Sequence, residues 1–159
     1  MKITFITVGK IKEKFFKDAI SEYEKRLKKY CKLSIIEVDD EKTPEQASLS
    51  LKDAILEKEA QKILHHLKSD AYIISLEING KIMDSESFAT HINQQVINGK
   101  SHIQFIIGGS LGLHQSLSGK ADLKLSFSAM TFPHQLMRVI LIEQVYRAFR
   151  INKGEPYHK

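Results

Sequence analysis

Residues 102–115 read HIQFIIGGSLGLHQ, and an apolar run from Ile103 to Ile107 stops there at three glycines within five positions. Gly108 to Gly112 match G-x-S-x-G, the pattern that raises a nucleophilic serine on a strand-to-helix turn. Asp122 and His134 follow in the order a serine–acid–base triad needs. The pattern is short and degenerate, however. Only residues 113–159 remain to complete a sheet and supply the acid and the base, and no HGGG-like oxyanion stretch precedes it. A serine hydrolase using Ser110 is therefore a remote alternative. A different chemistry suits the glycines better. At the C-terminal end of a strand they let main-chain N–H groups approach a nucleotide-like ligand. The spacing is neither G-x-G-x-x-G nor a P-loop. A plain tight turn with positive φ is the competing reading, but three glycines exceed what one turn requires, so a ligand loop is favoured.

A second stretch, LSFSAMTFPHQLMRVILIEQ from Leu125, alternates Ser126, Ser128 and Thr131 with Phe127, Ala129, Met130 and Phe132 ahead of Pro133. Apolar side chains beside free backbone donors suit an adenine ring and its edge. An ordinary strand–helix connection, with Thr131 as helix cap, is the alternative. Glu143 and Arg147 stand four apart, in the order that favours a helical ion pair. No metal signature is present: His65 and His66 are adjacent and diverge, while His91, His102 and His114 are isolated.

The chain that must position these residues is 159 residues long, 42% hydrophobic and 27% charged. That suits one globular domain with a core needing neither disulfides nor metal. The single cysteine, Cys31, points to a structural thiol in a reducing compartment. No run is apolar enough to span a bilayer, and the N-terminus lacks a signal-peptide core and cleavage site. A cytoplasmic protein is expected. The net charge of +5 is compatible with a nucleic-acid partner and equally with solvated lysine faces.

Strands are expected at Lys2–Val8, Leu33–Val38, Ala71–Ile78, Ile103–Ile107 and from Leu123. Asn79-Gly80 reads as a turn after the third. Between Ile11 and Tyr30, Phe16, Ile20, Tyr23, Leu27 and Tyr30 share one helical face, opposite Lys14, Lys17, Lys25, Lys28 and Lys29. A second helix is expected from a capping box at Thr43–Gln46, with Pro44 first, toward Leu67. A third spans Ser85–Asn98 and stops at Gly99. The last runs from near Pro133 to about Asn152. Its apolar residues wrap most of the circumference, which implies thorough burial and, in so small a chain, pairing with a second subunit. Alternating strands and helices indicate an α/β fold with a mainly parallel sheet flanked by helices.

FIIGGSLGLH, LSFSAMTFPHQLMRVILIEQVYRAFRI and the terminal GEPYHK closely resemble the ribosomal large-subunit RNA methyltransferase H family of the SPOUT class. ISLEINGKIMDSESFA and MKITFITVGKIKE fit it too, so the likeness covers essentially the whole chain, residues 1–159, as a single domain. The resemblance implies a C-terminal trefoil knot and a homodimer. It implies methyl transfer from S-adenosyl-L-methionine to N3 of a pseudouridine in 23S rRNA of the assembled 70S ribosome. Cofactor contacts carry over to Leu76, Gly108, Phe127, Ser128, Ala129, Met130, Thr131 and Phe132. Such a reaction needs no metal and no nucleophilic serine. It needs orientation and loss of the N3 proton, by a general base or a cation stabilising the imide anion. The expected participants are His134, Arg138, Tyr157, His158 and Lys159. A ribosome-binding protein that retains the pocket without catalysis is the alternative of another class.

Overall fold

Every strand pairing in the computed structural model, which describes residues 1–158, is parallel. The strands are β1 (Lys2–Val8), β2 (Lys32–Val38), β3 (Tyr72–Ile82), β4 (His102–Ile107) and β5 (Leu123–Ser126), and they lie in the order β2-β1-β4-β3-β5. The helices are α1 (Lys14–Leu27), α2 (Leu49–Leu64), α3 (Ser85–Ile97), the single turn α4 (Gln115–Ser118) and α5 (His134–Asn152).

The central strands β1 and β4 are buried almost throughout, which is why they read as continuous apolar runs rather than alternating ones. Successive side chains still point to opposite faces. Phe5 and Phe105, partners in register, meet edge-on at 5.5 Å on the face covered by Leu27, Phe88, Ile92, Leu141 and Val145 of α1, α3 and α5. Ile6 and Ile106 point the other way, onto Ala60, Ile63 and Leu117 of α2 and α4. Helices thus flank the sheet on both faces. On α5, Arg138, Leu141, Ile142, Val145, Tyr146 and Ala148 are buried within the one chain.

Four local expectations are corrected. α1 is shorter than Ile11–Tyr30, although its five-residue stripe does face the core. α2 does not begin at the Thr43 capping box: Ser48 is the cap, accepting from Leu51 N at 3.2 Å, and residues 44–47 form only a turn. α5 has Pro133 at its N-cap position and no side-chain cap, so Thr131 does not serve there. Asn79-Gly80 is not a hairpin turn, because β3 continues to Ile82. Leu76 and Lys81 both align with Leu125 of β5, so residues 77–80 bow out of the ladder. A Cβ on Gly80 would come within 2.8 Å of the Lys124 and Leu125 backbone, so this glycine serves close approach rather than positive φ.

Candidate active site

The C-terminal ends of β4 and β5 and the bow in the middle of β3 open into one cleft of about 660 Å³. Three chain segments wall it: 76–78, 107–112 and the connection from Leu125 toward Met137. Ligand crevices of open parallel sheets form at this end. Of the residues expected to contact a cofactor, the structure brings together Leu76, Gly108, Phe127, Ser128, Met130, Thr131 and Phe132; Ala129 is not part of the lining.

Each wall has a local cause. Past β4 the chain doubles back, with Gly112 N donating to Gly109 O at 3.2 Å and Gly112 at φ +90°. A Cβ on Gly108 would lie 2.6 Å from the Gly112 carbonyl carbon and 3.1 Å from Leu113. Gly108 is therefore required by the loop's own closure, before any ligand is considered. Past β5, the buried Ser126 hydroxyl donates to Ile78 O at 2.8 Å, tying this connection to the β3 bow. Ser128 Oγ accepts from Met130 N at 2.9 Å and turns the chain so that Phe127 and Phe132 face the cleft while Met130 stays largely exposed. From the bow, Glu77 faces the same space. Its carboxylate accepts from Ser75 Oγ at 2.5 Å and Ser118 Oγ at 3.0 Å.

Ser110 is exposed at the cleft rim and lacks its triad. Asp122 precedes β5 and accepts from Ile73 N at 2.7 Å, near the start of β3. In a parallel sheet that is the opposite end from Ser110. Among the described residues no group of three or more His, Cys, Asp or Glu could hold a metal ion, and no helix is long and apolar enough to cross a membrane.

His134 lines the cleft at the start of α5, with its Nε2 3.6 Å from where a Cβ on Gly9 would sit. Burial, then the neighbouring Arg138 guanidinium, lowers its pKa and favours neutral imidazole. Arg138 is only 1% exposed. It donates to Glu37 Oε1, Val8 O and Gly9 O, each at 2.7 Å, joining α5 to the ends of β1 and β2 rather than facing the cleft.

The tail folds back along α5. The Tyr157 hydroxyl donates to Glu143 Oε1 at 3.0 Å, and its ring lies 4.7 Å from the Arg147 guanidinium. The Glu143–Arg147 pair forms as spacing suggested, at 2.6 Å. Burial first, then the Tyr23 and Glu143 partners, push the Tyr157 phenol up. His158 Nδ1 is 3.2 Å from Arg147 Nη1, and His158 borders a second cavity that shares the Leu125–Phe127 wall with the cleft. Lys159 lies outside the described residues. The tail is anchored by Glu155, which accepts from the Tyr30 hydroxyl and pairs with Arg150 at 2.6 Å. The sequence reading missed Glu77 and Glu155. Glu77 lies in the mid-strand bow between Leu76 and Lys81, which no pattern in the sequence signals.

A family profile described as "Predicted SPOUT methyltransferase" matches residues 1–158. The chain is 61% identical, over 159 residues and the full length of both proteins, to the "Ribosomal RNA large subunit methyltransferase H" of Bifidobacterium adolescentis. It is 58% identical over the same span to the protein of that name in Clostridium acetobutylicum. Full-length matches at this identity, on a chain whose β3 bow and two post-strand segments close one cleft, have one reading: the chain belongs to the SPOUT methyltransferases, in the ribosomal RNA large subunit methyltransferase H family.

Proposed function

We propose that this protein is an S-adenosyl-L-methionine-dependent methyltransferase that modifies N3 of a pseudouridine in 23S rRNA of the assembled 70S ribosome. The observation that carries the reading is the cleft formed by the β3 bow and the ends of β4 and β5. Its volume of about 660 Å³ lies in the range of small-molecule sites. Phe127, Phe132 and Leu76 offer apolar walls, and the Gly108–Gly112 turn offers main chain. The apolar walls fit an adenine ring, and the main chain offers donors and acceptors to its edge. When bound, the cofactor supplies a methyl group already activated on a sulfonium.

The protein's own share is orientation and proton handling. Holding N3 in line with the methyl group is worth up to about 7–11 kcal/mol in ideal cases. His134 borders the cleft as a neutral imidazole, the form that accepts a proton. Arg138 positions it from behind, through Val8, Gly9 and Glu37. The raised pKa of Tyr157 keeps its phenol protonated, so it acts as a donor. With His158 and Lys159 it forms the polar group that meets the base.

Within one chain Tyr157 packs on α5 rather than in the cleft, which favours a tail completing the site of a second subunit. We assign a homodimer accordingly. Val139, Ile140 and Phe149 on α5 are only half-buried, as a helix with a further partner requires. The chain also returns from the sheet edge at β5 to pack α5 against α1 and α3. That path suits the trefoil thread of the class.

The test is transfer of label from radioactive S-adenosyl-L-methionine to ribosomes lacking the modification. Label recovered in 23S rRNA supports the reading. Tight ribosome binding without transfer replaces it with a non-catalytic ribosome-binding protein.

A further inference from the structure

Glu77 is the only formally charged side chain, carboxylate or cation, among the described residues that line the cleft. It arrives there through an uncommon local device. Leu76 and Lys81 align with the same residue of β5, and the four residues between them bow outward. The carboxylate is then held from two sides, by the Ser75 hydroxyl at 2.5 Å and by the Ser118 hydroxyl at 3.0 Å. Ser75 is fully buried, and its register partner Ile106 points to the sheet face that carries α4 and Ser118. None of the ion pairs among the described residues uses Glu77. A carboxylate accepts about four hydrogen bonds. Two are filled here, and the negative charge is not neutralised by a neighbouring cation.

A negative charge fixed in a half-buried cleft with no other formal charge favours a positively charged ligand, because attraction between charges grows as water is removed. The methyl donor and its demethylated product differ in charge at one atom. The donor carries a sulfonium, and the product a neutral thioether. Adenine, ribose and amino-acid groups are common to both. From this geometry we infer that Glu77 is a specificity-determining residue that reads the sulfonium charge, favouring the methyl donor over the spent cofactor. The two serines act as positioning residues for its carboxylate. The consequence is asymmetric binding: removing the charge penalises the donor and spares the product, which eases product release in the native enzyme.

This inference rests on the cofactor reading of the cleft, and one set of binding measurements separates the two. Calorimetric titration of the full-length protein uses S-adenosyl-L-methionine, S-adenosylhomocysteine and sinefungin, which carries an amine where the donor has its sulfonium. The unmodified protein is expected to bind the two cationic ligands about tenfold or more tighter than the neutral product. Glu77→Gln, at unchanged melting temperature, is expected to erase that gap to about threefold or less by weakening the cationic pair alone. Ser118→Ala is expected to fall between them. A donor-to-product ratio near one in the unmodified protein overturns the inference without any variant. Equal weakening of all three ligands in Glu77→Gln also overturns it, since that marks a contact to a group they share. Failure of all three ligands to bind the unmodified protein overturns the cofactor reading itself.

Discussion

The Gly112 carbonyl occupies the space where a side chain on Gly108 would begin, with its carbon 2.6 Å from the ideal Cβ position. The cleft's glycine loop is thus self-closing, and any side chain at 108 must push Gly112 outward. Gly108→Ala is expected to cost about 1–3 kcal/mol as an overpacking change and to weaken cofactor binding at the same time. Thermal unfolding and calorimetry check both; an unchanged melting temperature with lost affinity would mean the glycine serves the ligand alone.

Ser110 sits on the exposed rim of that loop, without a base or acid arranged on it. Ser110→Ala is expected to keep methyl transfer within about twofold, the range of an ordinary surface substitution. A fluorophosphonate probe should leave the protein unlabelled. Labelling at Ser110 would revive nucleophilic chemistry there.

Arg138 joins three strand-end groups from inside the core. Arg138→Met leaves two carbonyls and the partly exposed Glu37 without their partner. A loss of about 3 kcal/mol in urea unfolding is expected, at the lower end for a broken buried pair because Glu37 is partly solvated. Arg138→Lys should recover only part of it, since one ammonium does not replace the planar fork.

Burial is the largest cause holding His91, His102 and His134 below the usual imidazole range. A lowered folded-state pKa means the unfolded chain binds protons first. Stability is therefore full above roughly pH 6.5, the unperturbed value, and falls as pH drops through and below it. Melting temperature should decline between pH 7.5 and pH 5.5. His102→Gln, which keeps a partner for Thr4, should make that decline shallower. A steeper decline would assign the effect elsewhere.

Glu155 docks the tail on Tyr30 and Arg150, and Tyr157 caps Glu143. Truncation after Gly154 is expected to abolish ribosome methylation while cofactor affinity stays within about threefold, because none of the described tail residues lines the cleft. Full activity of the truncated chain would remove Tyr157, His158 and Lys159 from the reaction.

Long periodic patterns carried most of the fold. β1 has the expected bounds, the α1 stripe faces the core, and Gly99 and Gly154 sit at positive φ where helices stop. Short polar signals were less reliable, because tertiary contacts decide among local options. Thr43-Pro44 reads as a helix start, yet the helix is capped five residues later by Ser48. Asn79-Gly80 suits a turn, yet pairing with β5 keeps the strand going and uses Gly80 for backbone clearance. The cleft's glycine and phenylalanine segments were legible because each follows a strand. Glu77 was not, since its role depends on a register shift and on Ser118, 41 residues away.

Modification of 23S rRNA is read out by nucleoside mass spectrometry. Ribosomes from a strain lacking this gene are digested before and after incubation with the purified protein and S-adenosyl-L-methionine. An N3-methylated pseudouridine is expected to be absent before incubation and to appear after it, at one position of 23S rRNA. Its presence before incubation, or its continued absence afterwards, would rule out this activity.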